Sequence, residues 1–414
     1  MTQRYDTYKD SGVQWLEEIP EHWGTRRAKY LLKLLTESTK RTRKIGLENI
    51  ESNTGKLILT ESIFDGDGVD FDCGDILYGK LRPYLNKVWL AEFDGNAVGD
   101  FYVYRAINDY LNSFAKYLLL SSCFVGISNA STYGAKMPRV SSQFIHSLHF
   151  PLPPLSEQRS IVSFLDAKCG KIDEWVTKKQ KEVEHLQEMK QRVIADAVTR
   201  GLNPHVKMKA TNIPWLKEIP EHWEIKPIRA ILRENTDKTE TGDEELLSLS
   251  QYTGISRKKD AAKIGMFEAE STVGYKKVHP GQFVMNIMLA WNGSYAVSEF
   301  EGIISPAYCV FDFISKDEKM YYNYLWRLSM YQGAFKTESR GIIDSRLRLY
   351  PSKFLPFPTI CPPLSEQRSI VSYLDAKCSK IDKLIVNITK EIECIKEYKQ
   401  RLISDVATGQ IKVC

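Results

Sequence analysis

The eight cysteines are scattered, at 73, 123, 169, 309, 361, 378, 394 and 414, and none forms a CxxC pair. No Cys/His cluster has zinc-ligand spacing, so neither a zinc site nor a disulfide framework is expected, and the thiols read as reduced and structural. Cys169 and Cys378 fall on apolar helical faces, where a thiol acts as a small hydrophobe. Apolar runs such as Tyr117–Leu120 are far below the roughly 20 residues that a membrane helix needs, and the opening MTQRYDTYKD has no signal-peptide core. No membrane association and a cytoplasmic location are therefore expected. No GxxxxGK[ST] loop occurs, which excludes an ATP motor of that kind, and no Asn/Asp-Pro-Pro-aromatic motif marks an amino-methyltransferase. Asp65, Asp67, Asp70 and Asp72 have the wrong spacing for a calcium loop, and Ile76 stands where its last glutamate would be, so a hairpin turn is expected. An excess of one charge sign is also nearly absent. The net charge of +5 permits a nucleic-acid partner without demanding one.

What is present is a repeat. The chain has 414 residues, enough for roughly two to four domains, and its apolar and charged fractions of 43% and 26% are those of a globular protein. WLEEIPEHW at Trp15–Trp23 returns as WLKEIPEHW at Trp215–Trp223, with Glu17 replaced by Lys217. PPLSEQRSIVSFLDAKCGKID at Pro153–Asp173 returns at Pro362–Asp382 with two changes, and KQRVIADAV at Lys190–Val198 returns as KQRLISDVA at Lys399–Ala407. Between these blocks the sequences diverge, apart from anchors 207 positions apart: Gly74/Gly281, Phe93/Phe300, Gly95/Gly302, Val103/Val310 and Gly134/Gly341. Two copies of one fold with different surfaces explain this pattern. Segments kept alike should meet like partners, and segments that differ should meet different targets.

The kept blocks read as long helices. Ser156 and Ser365 are placed as N-caps, Glu157 and Glu366 favour the positive helix start, and Gly201 and Gly409 end the periodic runs. Apolar residues recur at three-four spacing, from Leu165 to Ala197 and from Leu374 to Val406, interrupted by Lys179, Lys190 and Lys399. That is a coiled-coil seam on helices of roughly 43 residues, about 65 Å long. Each helix leads from one variable region to the start of the next motif, so antiparallel pairing with a pseudo-twofold axis is expected. Met1–Trp23 should then dock beside the end of the second helix, as Gly201–Trp223 does at the first. His22 and His222 are expected to anchor structure together with Trp23 and Trp223.

Both variable regions alternate in short segments with glycine turns, reading as mixed α/β. The fold class is α+β: two similar recognition domains separated by two long helices in an antiparallel coiled coil. The expected boundaries are 1–23 for the N-terminal segment, 24–152 for the first variable domain, and 153–200 for the central helix. A linker follows at 201–223, then the second variable domain at 224–361 and the C-terminal helix at 362–414. Gly74–Tyr78 and Gly281–Met285 look like matched strands leading into basic, aromatic loops. Lys and Arg can neutralise phosphates or grip guanine, and Asn can pair with adenine. The candidate DNA contacts are Lys40, Arg41, Arg43, Lys80, Arg82, Tyr84, Lys136 and Arg139 in the first copy. In the second they are Arg257, Lys258, Asn286, Trp291, Asn292, Arg340 and Arg346. Trp89 and Tyr308 are expected in the core. No catalytic constellation is found.

These doubled motifs resemble the specificity subunits of type I restriction–modification systems, in the PPLSEQRSIV…LDAK…ID helices, the W-L-x-x-I-P-x-H-W segments, and IGLENI at Ile45–Ile50 followed by Thr54-Gly55. The resemblance covers essentially the whole chain. It implies two target recognition domains, each reading one half of a split, asymmetric site on double-stranded DNA. It implies helices that dock two methyltransferase subunits, which two restriction subunits join. It implies a chain that is non-catalytic and without cofactors of its own, since S-adenosylmethionine, ATP and Mg2+ serve the partners. Two other readings fit the same features: a specificity subunit for a smaller nuclease–methyltransferase system, and a coiled-coil scaffold whose lobes bind proteins.

Overall fold

A computed structural model of the chain describes residues 3–39, 41–58, 60, 62, 64–134, 136–251, 254–260, 271–341 and 347–413. The chain divides into two compact units, Met1–Lys181 with Ile388–Cys414, and Glu182–Asn387. Each unit is mixed helix and sheet, and each is built the same way. No helix among the described residues is long and apolar enough to cross a membrane.

In the first unit a four-stranded antiparallel sheet runs in the order Leu32–Leu35, Phe101–Ala106, Ile76–Gly79, Val88–Leu90. Neighbouring side chains on a strand point to opposite faces. Ile76 and Tyr78 accordingly join Val88, Tyr104, Phe114 and Phe124 in one core, while Leu77 joins Ile45, Phe71, Trp89 and Val103 in another. The central strand is buried on both faces for that reason. The second unit repeats the sheet with Leu232–Asn235, Tyr308–Phe313, Phe283–Asn286 and Tyr295–Val297. There too Phe283 and Met285 enter one core and Val284 the other, where Tyr308 packs at the edge. Gly74 and Gly281, just before the matched strands, have φ of +89° and +85°. Side chains with a Cβ are strained there, so the two copies share a glycine at this turn.

Two long helices, Leu155–Arg200 and Leu364–Ala407, contribute to both units. Within the first, Ile161, Leu165 and Cys169 share a core with Leu402, Ile403 and Val406. Within the second, Ile194, Ala197 and Val198 share one with Ile370, Leu374 and Cys378. The pairing is antiparallel. In the first unit, Trp23 bridges Glu157 to Gly409, whereas further along Asp173 meets Lys399. Each helix starts at a leucine, one residue ahead of the expected cap, so Ser156 and Ser365 lie inside the first turn. The carbonyls of Pro154 and Pro363 accept from the amides of Gln158 and Gln367 instead.

The lysines that interrupt the apolar seam have specific partners. Lys399 is 5% exposed, and its Nζ lies 2.7 Å from Asp173 Oδ1. At the corresponding positions of the repeat, Lys190 Nζ lies 2.7 Å from Asp382 Oδ1. Lys179 Nζ sits 5.8 Å from the centre of the Trp175 ring.

A buried cation stripped of its partner is far more costly than an exposed one. Asp173→Asn is therefore expected to lower stability by about 3 kcal/mol. Asp382→Asn should cost less than about 1 kcal/mol, since its pair is half-exposed. Chemical unfolding of the complete chain measures both, and equal losses would contradict the burial argument.

Candidate nucleic-acid interface

The repeated motifs form the frame that holds the variable loops. Glu157 Oε1 lies 2.5 Å from His22 Nε2, and its Oε2 accepts from Trp23 Nε1 at 2.9 Å. Glu366 repeats both contacts, with His222 at 2.6 Å and Trp223 at 3.0 Å. Both indoles are fully buried, so the histidines and tryptophans of the two EHW motifs are helix anchors. The neighbouring glutamines turn the other way. Gln158 Oε1 accepts from the Leu111 amide, and Gln367 Oε1 from the Glu318 amide, each at the head of a helix of the variable region. Asp166 and Asp375 accept from Tyr117 and Tyr324 on those same helices. Thus each PPLSEQ…LDAK segment clamps an EHW segment with its glutamate and a variable domain with its glutamine and aspartate.

On this frame each unit carries a pair of adjoining loops. In the first unit the strand Ile76–Gly79 leads into residues 80–86, which lie along the hairpin of residues 133–139. The Arg82 amide donates to Pro138 O at 2.7 Å, the Val140 amide to Lys80 O at 3.1 Å, and Tyr133 and Arg139 pair through both backbone bonds. The loops gather Arg82, Tyr84, Tyr133 and Lys136 on the surface, with Tyr84 50% and Tyr133 58% exposed. Arg82 and Lys136 form no ion pair among the described residues. Beneath them, Arg139 makes a two-pronged bond to Asp100, at 2.9 and 2.8 Å, and Lys80 Nζ lies 3.9 Å from the same carboxylate. Those two cations brace the loop pair. Lys87, nearby, donates to Leu47 O, and burial holds its ammonium below the ordinary lysine range.

The second unit has the same loop pair with other side chains. The Leu349 amide donates to Ile287 O at 2.9 Å, and Arg340 and Arg348 pair as Tyr133 and Arg139 do. Leu289 occupies the place of Arg82 and Trp291 that of Tyr84, on equivalent short 3₁₀ turns. Between the paired positions the sequence has residues 134–138 in one copy and 341–347 in the other. This two-residue difference is where the spacing of the copies changes from 207 to 209. Leu289 is 43% exposed, Arg340 and Asn292 are exposed, and Trp291 is half-buried with Nε1 donating to Met288 O. Asn286 is turned inward at 4% exposed, and its Oδ1 accepts from the Met288 amide, so this carboxamide shapes the loop from inside. Arg346 lies outside the described residues, as does Lys40 in the first unit.

The remaining candidates sit apart from the loop pairs. Arg41 donates to Phe71 O and to Asp72, which it shares with Arg105. Hydrogen bonds from these arginines hold the Asp72 carboxyl below the usual carboxylate range. Asp70 accepts from Thr39 and Asn96, so Asp70 and Asp72 are both engaged within this network. Arg43 lies over Phe93, 3.1 Å from the ring centre, and Arg257 over the matching Phe300 at 5.6 Å. Arg257 and Lys259 also share Glu245, at 3.0 and 2.7 Å, while Lys258 is half-buried. Sequence reasoning missed the roles of Asp173, Asp382, Gln158, Gln367, Tyr117 and Tyr324. The signal was their identity between copies, but their partners lie too far along the chain to be read.

A duplicated frame therefore presents two loop pairs with unlike side chains. Comparison with known proteins gives the following similarities. The domain described as "Type I restriction modification DNA specificity domain" matches residues 38–185. The specificity subunit of the type I restriction enzyme MjaVIII of Methanocaldococcus jannaschii is 25% identical over 389 residues, 89% of this chain and 82% of the relative. That of EcoDI from Escherichia coli is 30% identical over 158 residues, 36% of this chain and 35% of the relative. A chain solved in work on the complex assembly and conformational transition of the type I R-M system shares the fold, with a TM-score of 0.67 at 18% identity over 94% of this chain and 98% of its own. The chain is thus similar in part of its sequence, and in its fold, to specificity subunits of type I restriction–modification systems.

The geometry separates surface candidates from braces. Arg82→Ala and Lys136→Ala should leave the thermal unfolding midpoint unchanged, because neither side chain forms an ion pair among the described residues. Arg139→Ala should lower it by unseating the loop and stranding Asp100. A midpoint that falls equally in all three would remove the distinction.

Proposed function

We propose that this chain is the non-catalytic, sequence-reading subunit of a type I restriction–modification enzyme. Each unit binds one half of a split, asymmetric site on double-stranded DNA through its loop pair. The observation that carries this reading is the contrast between frame and loops. The same clamps hold both loop pairs, yet Arg82, Tyr84, Tyr133 and Lys136 in one copy stand where Leu289, Trp291, Arg340 and a longer stretch of sequence stand in the other. Lysines and arginines on such loops neutralise phosphates and position the domain, while base contacts specify. Two unlike loop pairs suit two unlike half-sites.

The helices dock two methyltransferase subunits, and restriction subunits join through these. In support, the repeated helices leave Met189, Tyr373, Leu384, Val386 and Tyr398 exposed, between 37% and 51%. These side chains are open to a partner's apolar surface, which would bury them. Methyl transfer and ATP-driven cleavage belong to the partners.

Exchange of residues 24–152 for those of a relative tests the modular reading. The methylated site, mapped by single-molecule sequencing of genomic DNA, should change in one half only. Changes in both halves would show that the domains do not read independently.

A further inference from the structure

Within the second unit a cleft of about 720 Å³ opens between the last turns of the central helix, Lys190–Ala195, and the helices Lys319–Trp326 and Ser329–Glu338. Among the described residues its lining includes three cations, Lys190, Arg192 and Arg327, and no aspartate or glutamate. The three differ in how their charge is met. Lys190 is paired with Asp382, and Arg192 Nε lies 3.8 Å from Asp196 at the open rim. Arg327 is half-buried, and its Nη2 donates to the Gln251 carbonyl. Among the described residues no carboxylate lies within ion-pair distance of Arg327. A guanidinium has five donors, and among the described residues the Gln251 carbonyl is the acceptor that Arg327 meets.

The first unit has a matching cleft but lacks this feature. Its lining holds Lys56, Lys396, Lys399 and Arg401, but these stand against Glu51, Asp173 and Glu397. The position equivalent to Arg327 is Leu120, 1% exposed in the core. The larger cationic surplus, and a half-buried arginine at this position, therefore belong to the second unit. The cleft also shares walls with that unit's reading loop. Asn292 Nδ2 donates to Gln251 Oε1 at 2.5 Å, and Gln332 Nε2 lies 2.6 Å from where a Cβ on Gly293 would be. Gln251 and Gln332 both line the cleft and supply further polar groups.

We infer that the second unit holds a phosphodiester of the DNA backbone in this cleft, with Arg327 as its main partner and Arg192 as the rim charge. The inference rests on the reading of the chain as a duplex-binding subunit. Anionic oxygens suit an unpaired, half-buried guanidinium, whose planar fork matches phosphate geometry. The contact carries no sequence information and fixes how the second unit sits on the duplex, beside the bases that its loop reads.

The test uses the complete chain with its methyltransferase partner and a random-sequence duplex, titrated across a range of salt. Arg327→Gln should flatten the slope of log affinity against log salt by about 0.9, the value of one phosphate contact, and weaken binding alike on every sequence. Arg327→Lys, which keeps the charge, should retain most of the slope. A steep wild-type slope that Arg327→Gln leaves unchanged overturns the inference and spares the DNA reading. A wild-type complex whose binding ignores salt defeats the DNA reading itself. Loss of the methyltransferase partner with the slope intact overturns the inference too, and makes the cleft a protein-docking site. If Arg327→Gln unfolds, Arg192→Gln on the exposed rim decides: a flatter slope supports the phosphate site, and an unchanged one overturns it.

Discussion

The antiparallel register of the two long helices is the constraint on which the rest of the molecule depends, and two Lys–Asp pairs help to set it. An apolar seam alone tolerates sliding by a heptad, since each turn offers a similar row of Leu, Ile and Val. A lysine in that seam does not. Lys399 is nearly buried, so any register that moves it from Asp173 strands its charge in an apolar interface. The duplication places the same device at Lys190 and Asp382. Buried polar groups as register markers are well attested in paired helices, and here the marker appears once in each unit.

From that register the clamps follow. With the helices set, Glu157 and Glu366 are placed to receive the two His–Trp pairs, and Gln158 and Gln367 to receive backbone amides of the variable domains. The N-terminal segment is closed onto the far end of the chain in the same way. Tyr8 donates to the Gly409 carbonyl, Gln410 to that of Glu18, and Lys412 pairs with Gln3. A carboxylate that accepts an indole and an imidazole together needs both at fixed angles. The frame therefore resists change while the loops it carries vary freely.

Much of this frame was legible in the sequence because duplication supplies an internal control. Trp23 and Trp223 as anchors, the helix periodicity, the terminal glycines and the matched strands all came from comparing one half with the other. The exact helix starts did not, because proline carbonyls accept the first helical bonds and leave Ser156 and Ser365 without a cap's work. Nor did the partners of the seam lysines, which stand 226 and 192 residues away. The site was harder to read. A basic residue looks the same in a sequence whether it faces solvent or an acid. Arg41, Arg139 and Arg257 are engaged by Asp72, Asp100 and Glu245, whereas Arg82 and Lys136 are not, and only the fold separates them. Asn286 misled for a related reason, since a strand-end amide can serve its own loop as well as a base.

As proposed, two unlike surfaces on one frame read two separate stretches of a duplex. Hydroxyl-radical footprinting of the partner-bound chain on a genomic target tests it most directly. Two protected patches should appear, flanking bases that remain cleavable. In a variant lacking Arg82, Tyr84 and Lys136 together, one patch should fade while the other stays. A single unbroken patch, or fading of both patches together, would contradict it.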